Sequence, residues 1–375
     1  MSKLLRLEGI ATKAVPKNST IGSRRLNGTF DKTVPKNLIS IAIYPVFCNK
    51  IYGIFNYHPN AVKILIIKPS SLGDVIHALR VVNQIVDNIS SVSIDWVIKA
   101  ELEPILSASG LTQTNFLYQR GGGIRSYLAL LRKVRKKKYD FVLDLQGLFR
   151  SAFLAFCTHS NNKIGVADGR ECSTFFYKSV GESSRKSEIH AIDRLVPFLP
   201  QLNIQNWNPK LPTEFPNSRL SPSTLGHIGE KEFILLFPES RRQEKVWPHF
   251  AKLCQLLCKT SELNIVIGGN NEDGQYPEAI DLRNRLNLIE LPALIKRASV
   301  VISNDSAPLH IASSLNKPIV ALFGPTSANR YGPYPLNCEN STILTAQEKN
   351  LDLISVEQVA EAVECAFNQR KHQVE

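Results

Sequence analysis

From residue 62 onward, short apolar runs alternate with longer stretches in which apolar positions recur every three or four residues. The short runs predict buried strands and the longer ones amphipathic helices. In order they give strand 63–68, helix 74–87, strand 93–98, helices 101–109 and 124–136, strand 140–145 and helix 148–157. A polar, proline-containing stretch at 199–231 then reads as a connection. After it the pattern restarts with strand 232–237, helix 248–259, strand 263–268, a helix near 275–285, helix 291–297, strand 299–302, helix 307–315 and strand 318–322. A last helix covers 355–367, where Ser355 and Gln358 have the spacing of a capping box.

Strands alternating with helices imply parallel sheets covered on both faces. The expected fold class is therefore α/β, with two Rossmann-like domains at 62–215 and 216–375 and a cleft between them. In such sheets ligands bind beyond the carboxyl ends of the strands. Residues 1–61 show neither period and read as an N-terminal extension, disordered or not translated.

A chain of 375 residues with 43% apolar content can bury two cores without staples. Its seven cysteines are scattered with no CxxC pair, which argues against a disulfide framework and a zinc site. Of the net charge of +12, residues 1–60 carry nine lysines and arginines against Glu8 and Asp31, a local balance of +7 that leaves the folded part mildly basic. A second basic run, RKVRKKK at 132–138, reads as a solvated helix end or as a match for an anionic membrane surface. Without interleaved aromatics it does not resemble a nucleic-acid platform. No apolar stretch has transmembrane length; LISIAIYPVF at 38–47 is short and contains Pro45.

Four loops at strand ends could carry chemistry. ILIIKPSSLGDVIHAL lacks both GxxxxGK[ST] and GxGxxG, which removes support for a P-loop or a dinucleotide fingerprint. Asp74 there is either a helix N-cap or a carboxylate able to take a proton from a hydroxyl. In FPESRRQEKVWPHF, Arg241, Arg242 and Lys245 suit a pyrophosphate, or a surface cluster with Glu239 and Glu244. In SNDSAPLH, Ser306 and Ala307 open a helix that could hold a phosphate, Asp305 could grip sugar hydroxyls, and His310 follows one turn in. A plain cap and a core histidine are the alternatives. Glu272, after Gly268-Gly269, would reach a ribose or belong to an ordinary turn.

Together these stretches, with YDFVLDLQGLFRSA at 139–152 and SNDSAPLHIASSLNKPIVALFGPTSANRYGPY at 303–334, resemble the ADP-heptose:lipopolysaccharide heptosyltransferases, inverting glycosyltransferases of family 9 with the GT-B fold. The resemblance runs from about Val62 to Tyr334. It implies Asp74 as general base with Lys68 setting its site, and Ser240, Arg241 and Lys245 on the leaving ADP diphosphate. It also implies Asp305 on the heptose, Ser306, Ala307 and His310 framing the donor, Glu272 on the adenosine ribose, and Arg170 facing the acceptor. The implied donor is ADP-heptose and the acceptor the Kdo region of the lipopolysaccharide inner core. No metal or other cofactor and no nucleic acid is implied. The expected location is peripheral, on the cytoplasmic face of the inner membrane, with the last helix crossing back to the first domain. Another GT-B transferase or epimerase, or a non-catalytic basic binding protein, remains the alternative.

Three departures from the family pattern stand out. Ala307 replaces a glycine, Arg80 replaces a proline and reads as a tolerated helix change, and the 61-residue extension has no counterpart. Met1 is the only methionine, and Val62-Lys63-Ile64 falls where family members begin, which suggests translation from Val62.

Overall fold

A computed structural model describes residues 61–183, 188–271 and 273–374; the extension at 1–60 lies outside the described residues. The first half consists of β1 (Val62–Ile67), α1 (Leu72–Asn88), β2 (Val92–Lys99), α2 (Glu103–Ser109), β3 (Thr114–Tyr118), α3 (Gly123–Arg135), β4 (Phe141–Asp144), α4 (Phe149–Cys157), β5 (Asn162–Val166) and β6 (Lys178–Val180). The second half consists of α5 (Pro222–Ile228), β7 (Phe233–Phe237), α6 (Phe250–Thr260), β8 (Asn264–Ile267), β9 (Ile280–Asp281), α7 (Leu291–Arg297), β10 (Val300–Asn304), α8 (Ala307–Ser314), β11 (Ile319–Phe323), α9 (Ala328–Tyr331), β12 (Ser341–Thr345) and α10 (Val356–Val374).

Each half carries one six-stranded sheet, ordered β3-β2-β1-β4-β5-β6 and β12-β11-β10-β7-β8-β9. Every pairing is parallel, with Ile67 beside both Val97 and Asp144, and Ser303 beside Phe237 and Ala321. The two sheets share one doubly wound topology. Their strand order reverses between β1 and β4 and between β7 and β10, where such sheets open a crevice. The central strands read VKILII, FILLF and IVALF because helices bury both of their faces.

The sequence pattern misjudges one helix. Residues 275–285 form turns and the short β9, because Arg283 folds back to donate to the Asp273 and Gly274 carbonyls at 2.6 and 3.1 Å and to the Asp281 carboxylate at 2.7 Å. The last helix has the predicted capping box: Ser355 N–H donates to Gln358 Oε1 at 2.9 Å and Gln358 N–H to Ser355 Oγ at 3.1 Å. Its buried Val359, Ala362, Val363 and Ala366 join the core of the second half beside Trp247 and Leu322.

α1 is buried nearly all round, since one side packs on the first sheet and the other on the second half. Its polar positions His77, Arg80 and Gln84 form one stripe turned toward the second half and the 199–231 connection. Arg80 is not a neutral helix change. Its guanidinium donates to the Tyr334 carbonyl at 2.9 Å, the Ser313 carbonyl at 3.3 Å and the Pro209 carbonyl at 2.7 Å, and lies 5.4 Å from the Tyr334 ring centre. Burial lowers its pKa to about 10, so it stays charged at neutral pH. Arg80→Met should therefore cost about 2 kcal/mol in urea unfolding, because it removes a charged donor from three inward carbonyls, of which the Ser313 carbonyl keeps Asn316 N–H and the Tyr334 carbonyl keeps Ser313 Oγ. Arg80→Lys should recover little of that, since one ammonium cannot span the same acceptors. Unchanged unfolding midpoints would remove Arg80 as a tie between the halves.

Candidate active site

A cavity of 640 Å³ lies between the halves, outside the carboxyl ends of β1, β7 and β10. The first half contributes Ser71, Leu72, Gly73, Asp74 and His77. The second contributes the 237–245 loop, Gly269–Asn271, Leu286–Leu288 and the start of α8. The halves meet closely here: a Cβ on Gly73 would lie 2.7 Å from His310 Cδ2, so glycine lets α1 start against α8.

Asp74 occupies the third position of α1, and Ser71, not Asp74, is the N-cap. Asp74 Oδ2 accepts from Ser71 N–H at 3.0 Å and Ser71 Oγ at 2.8 Å, and lies 3.9 Å from Lys68 Nζ. The N-cap reading of Asp74 gives way to a place in the capping box, which is compatible with the base reading. The cap uses Oδ2, while 43% of the side chain stays open to the cavity. Burial would raise its pKa, but Lys68, the two Ser71 hydrogen bonds and nearby His310 outweigh it and hold the carboxyl below its usual value. Burial also lowers the Lys68 ammonium, against the pull of Asp74.

On the other wall, Lys245 Nζ lies 2.6 Å from Asp305 Oδ2, with side chains 16% and 6% exposed. Thr326 Oγ1 donates to the same oxygen at 2.7 Å, and Ser240 Oγ donates to the Asp305 carbonyl at 3.3 Å. Arg242 pairs with Glu244, as the surface-cluster alternative expected, and both Arg241 and Arg242 line the cavity. Buried Asn304 ties the loop to β10: its Nδ2 donates to the Pro238 carbonyl at 3.0 Å and its Oδ1 accepts from Trp247 N–H at 3.0 Å.

Ser306 stands at the N-cap position of α8 with its hydroxyl on Ser303 Oγ at 3.1 Å, and Ala307, at the first helical position, lines the cavity. Pro308 follows and has no N–H, so the helix start offers fewer donors than an uninterrupted one. His310 lies 3.9 Å from Asp305 Oδ1 and 4.3 Å, ring to ring, from His77. Burial lowers its pKa despite Asp305 and Asp74, so it is neutral at pH 7.

Two expected residues are not in this constellation. Glu272 lies outside the described residues. Arg170 is exposed beyond β5, where its N–H donates to the Gly147 carbonyl at 2.7 Å, and it does not line the cavity. Nearby Asp144 is wholly buried and organises the turn after β4, accepting from Gln146 and Gly147 N–H and from Ser151 Oγ. Burial pushes its carboxyl up to about 6.

The cavity also holds residues that sequence patterns did not single out as ligand-binding. Glu239 accepts from Asn270 N–H at 2.8 Å, beside Gly269 at φ +136°, where a Cβ would lie 2.8 Å from the Glu239 carboxyl carbon. Leu286, Asn287 and Leu288 form a half-apolar wall opposite, in the stretch just after the misjudged helix. Tyr331 and His77 complete the lining. Among the described residues, no group of three or more His, Cys, Asp or Glu side chains is arranged to hold a metal, and no helix is long and apolar enough to cross a membrane.

Comparison with known proteins agrees with this geometry. The chain is 23% identical over 301 residues to the lipopolysaccharide core heptosyltransferase OpsX of Haemophilus influenzae, covering 76% of this chain and 85% of that protein. It is 26% identical over 296 residues to lipopolysaccharide heptosyltransferase 1 of Campylobacter coli, covering 72% and 85%. Its fold is similar to the solved Escherichia coli heptosyltransferase WaaC with ADP, at a TM-score of 0.68, 22% identity and coverage of 81% and 99%. It is also similar to E. coli ADP-heptose lps heptosyltransferase II, at a TM-score of 0.67, 21% identity and coverage of 83% and 100%. The two parallel sheets are those of a GT-B glycosyltransferase. The profile of glycosyltransferase family 9 (heptosyltransferase) matches residues 127–360, well over half of the chain, and this protein belongs to that family.

Proposed function

We propose that the cavity transfers heptose from ADP-heptose to the Kdo region of the lipopolysaccharide inner core, with inversion at the anomeric carbon. The observation that carries this reading is the opposition of Asp74, on the first half, to the Lys245–Asp305 pair and the α8 start on the second. Asp74 takes the proton from the acceptor hydroxyl as that oxygen attacks the anomeric carbon, and ADP departs from the opposite face with the bonding electrons. Lys245, Arg241 and the helix start offset the charge on the departing diphosphate without a metal. Asp305 and Ser306 hold the sugar, Ser240 braces Asp305, and neutral His310 acts as a hydrogen-bonding partner. The adenosine rests between Gly269–Asn271 and Leu286–Leu288, with Glu239 or Glu272 on its ribose. Arg170 meets the acceptor from the outer edge of the first sheet.

The relatives named above as lipopolysaccharide heptosyltransferases support the donor and acceptor classes. The site of action would be the cytoplasmic face of the inner membrane. ADP release from ADP-heptose, followed with and without Kdo-lipid A, tests the reading. Acceptor-dependent release is the expected outcome; release that ignores the acceptor, or none at all, would contradict it.

A further inference from the structure

The outer face of the first half carries an exposed aromatic cluster that the transferase cavity does not use. Phe149, Phe153 and Phe156 recur at i, i+4 and i+7 along α4. The Phe176 ring meets all three at 5.5, 6.0 and 5.7 Å, and Phe149 stacks on Phe153 at 6.0 Å. Phe149 is 45% exposed, Phe156 54% and neighbouring Phe175 85%. The patch continues onto α3, where Ile124 and Leu128 are exposed and Tyr127 Oη donates to the Arg150 carbonyl at 2.7 Å.

Cations surround these rings. Residues 123–138 contain seven lysines and arginines and no carboxylate. Of these, Arg125, Arg132, Lys133, Arg135 and Lys136 are exposed. Lys163 Nζ lies 5.4 Å from the Phe156 ring centre. The facing carboxylates are few: Asp95 is taken by Lys137 at 2.7 Å, and Glu171 accepts from Phe149 N–H.

We propose that α3, α4 and the 173–176 turn form a docking face for an anionic phospholipid bilayer. Apolar rings that enter the headgroup boundary, bordered by cations of one sign, match such a surface on both counts. A two-fold pairing of this face with a second copy would bring the carboxylate-free α3 runs of both copies together, which charge repulsion opposes. α3 and α4 both start at the carboxyl edge of the sheet, the edge that also presents Asp74. The proposal deepens the transferase reading by seating a lipid-borne acceptor's membrane at that edge.

The test is co-sedimentation of the full chain with phosphatidylcholine vesicles, with and without phosphatidylglycerol. Binding is expected only to the anionic vesicles and should weaken as salt is raised. The Phe149→Ser/Phe156→Ser/Phe175→Ser variant should lower the partition coefficient about 30-fold. Arg132→Gln/Lys133→Gln/Arg135→Gln/Lys136→Gln should lower it about 100-fold. All these side chains are exposed, so circular dichroism should be unchanged, and transfer to a detergent-dispersed acceptor should persist. Unaltered vesicle binding in both variants, or equal binding to neutral vesicles, would overturn the proposal. So would a lipid-free dimer that the phenylalanine variant dissociates. Because vesicle binding needs neither donor nor acceptor, it can stand if ADP release fails, and fail while ADP release stands.

Discussion

Asp74→Asn should lower kcat about 10³-fold while leaving the affinity for ADP nearly unchanged. Asparagine keeps an oxygen that can accept from Ser71 N–H and Oγ, so the start of α1 survives and the loss reports chemistry rather than folding. It cannot take a proton. The pH dependence gives a second readout. Lys68 and Ser71 hold the Asp74 carboxyl below its usual value, so the base form persists as pH falls to that value. The acid limb of kcat/KM due to this group should therefore lie below about pH 4. Lys68→Met removes the nearest cation, and the limb should move upward as burial takes over. A kcat for Asp74→Asn within tenfold of the unchanged enzyme would assign the proton to another acceptor.

What the sequence disclosed follows from burial. Strands β1, β7, β10 and β11 lie inside their sheets with both faces covered, so they read as unbroken apolar runs and were legible. Thr114–Tyr118, Lys178–Val180, Ile280–Asp281 and Ser341–Thr345 are the edge strands. Half exposed, they carry polar residues at alternate or most positions and offered no run to find. Asn162–Val166, next to one edge, was missed for the same reason.

The site divides in a similar way. Asp305 directly follows β10, while Lys245 and Asp74 lie in the loop after β7 and the first turn of α1 after β1; all three strands were legible, and charged residues just past a buried strand are conspicuous. Leu286 and Leu288 follow irregular turns held by Arg283, so no period marked them as lining residues. Arg80 looked like an ordinary helix substitution, because its acceptors lie 129 to 254 residues away along the chain. Such a tie becomes visible only when the halves are assembled.

The Lys245–Asp305 pair separates a structural role from a catalytic one. Lys245→Met leaves the Asp305 carboxylate, 6% exposed, with Thr326 as its remaining side-chain hydrogen-bond donor. Stability should fall by about 3 kcal/mol, because an inward charge loses its counter-ion. Affinity for ADP should fall about 100-fold, because the same cation meets the diphosphate. Adding Asp305→Asn to that variant removes the stranded charge, so stability should return while ADP affinity stays low. Asp305→Asn alone carries the sharper expectation. With no carboxylate 2.6 Å from its ammonium, Lys245 is released to the diphosphate. ADP should then bind several-fold more tightly, even as sugar transfer drops, because the neutral amide no longer accepts from the heptose hydroxyls as strongly. Titration calorimetry with ADP, set beside turnover of the same variant, reads both changes. Weaker ADP binding in Asp305→Asn would mean that the carboxylate positions Lys245 for the diphosphate rather than competing with it.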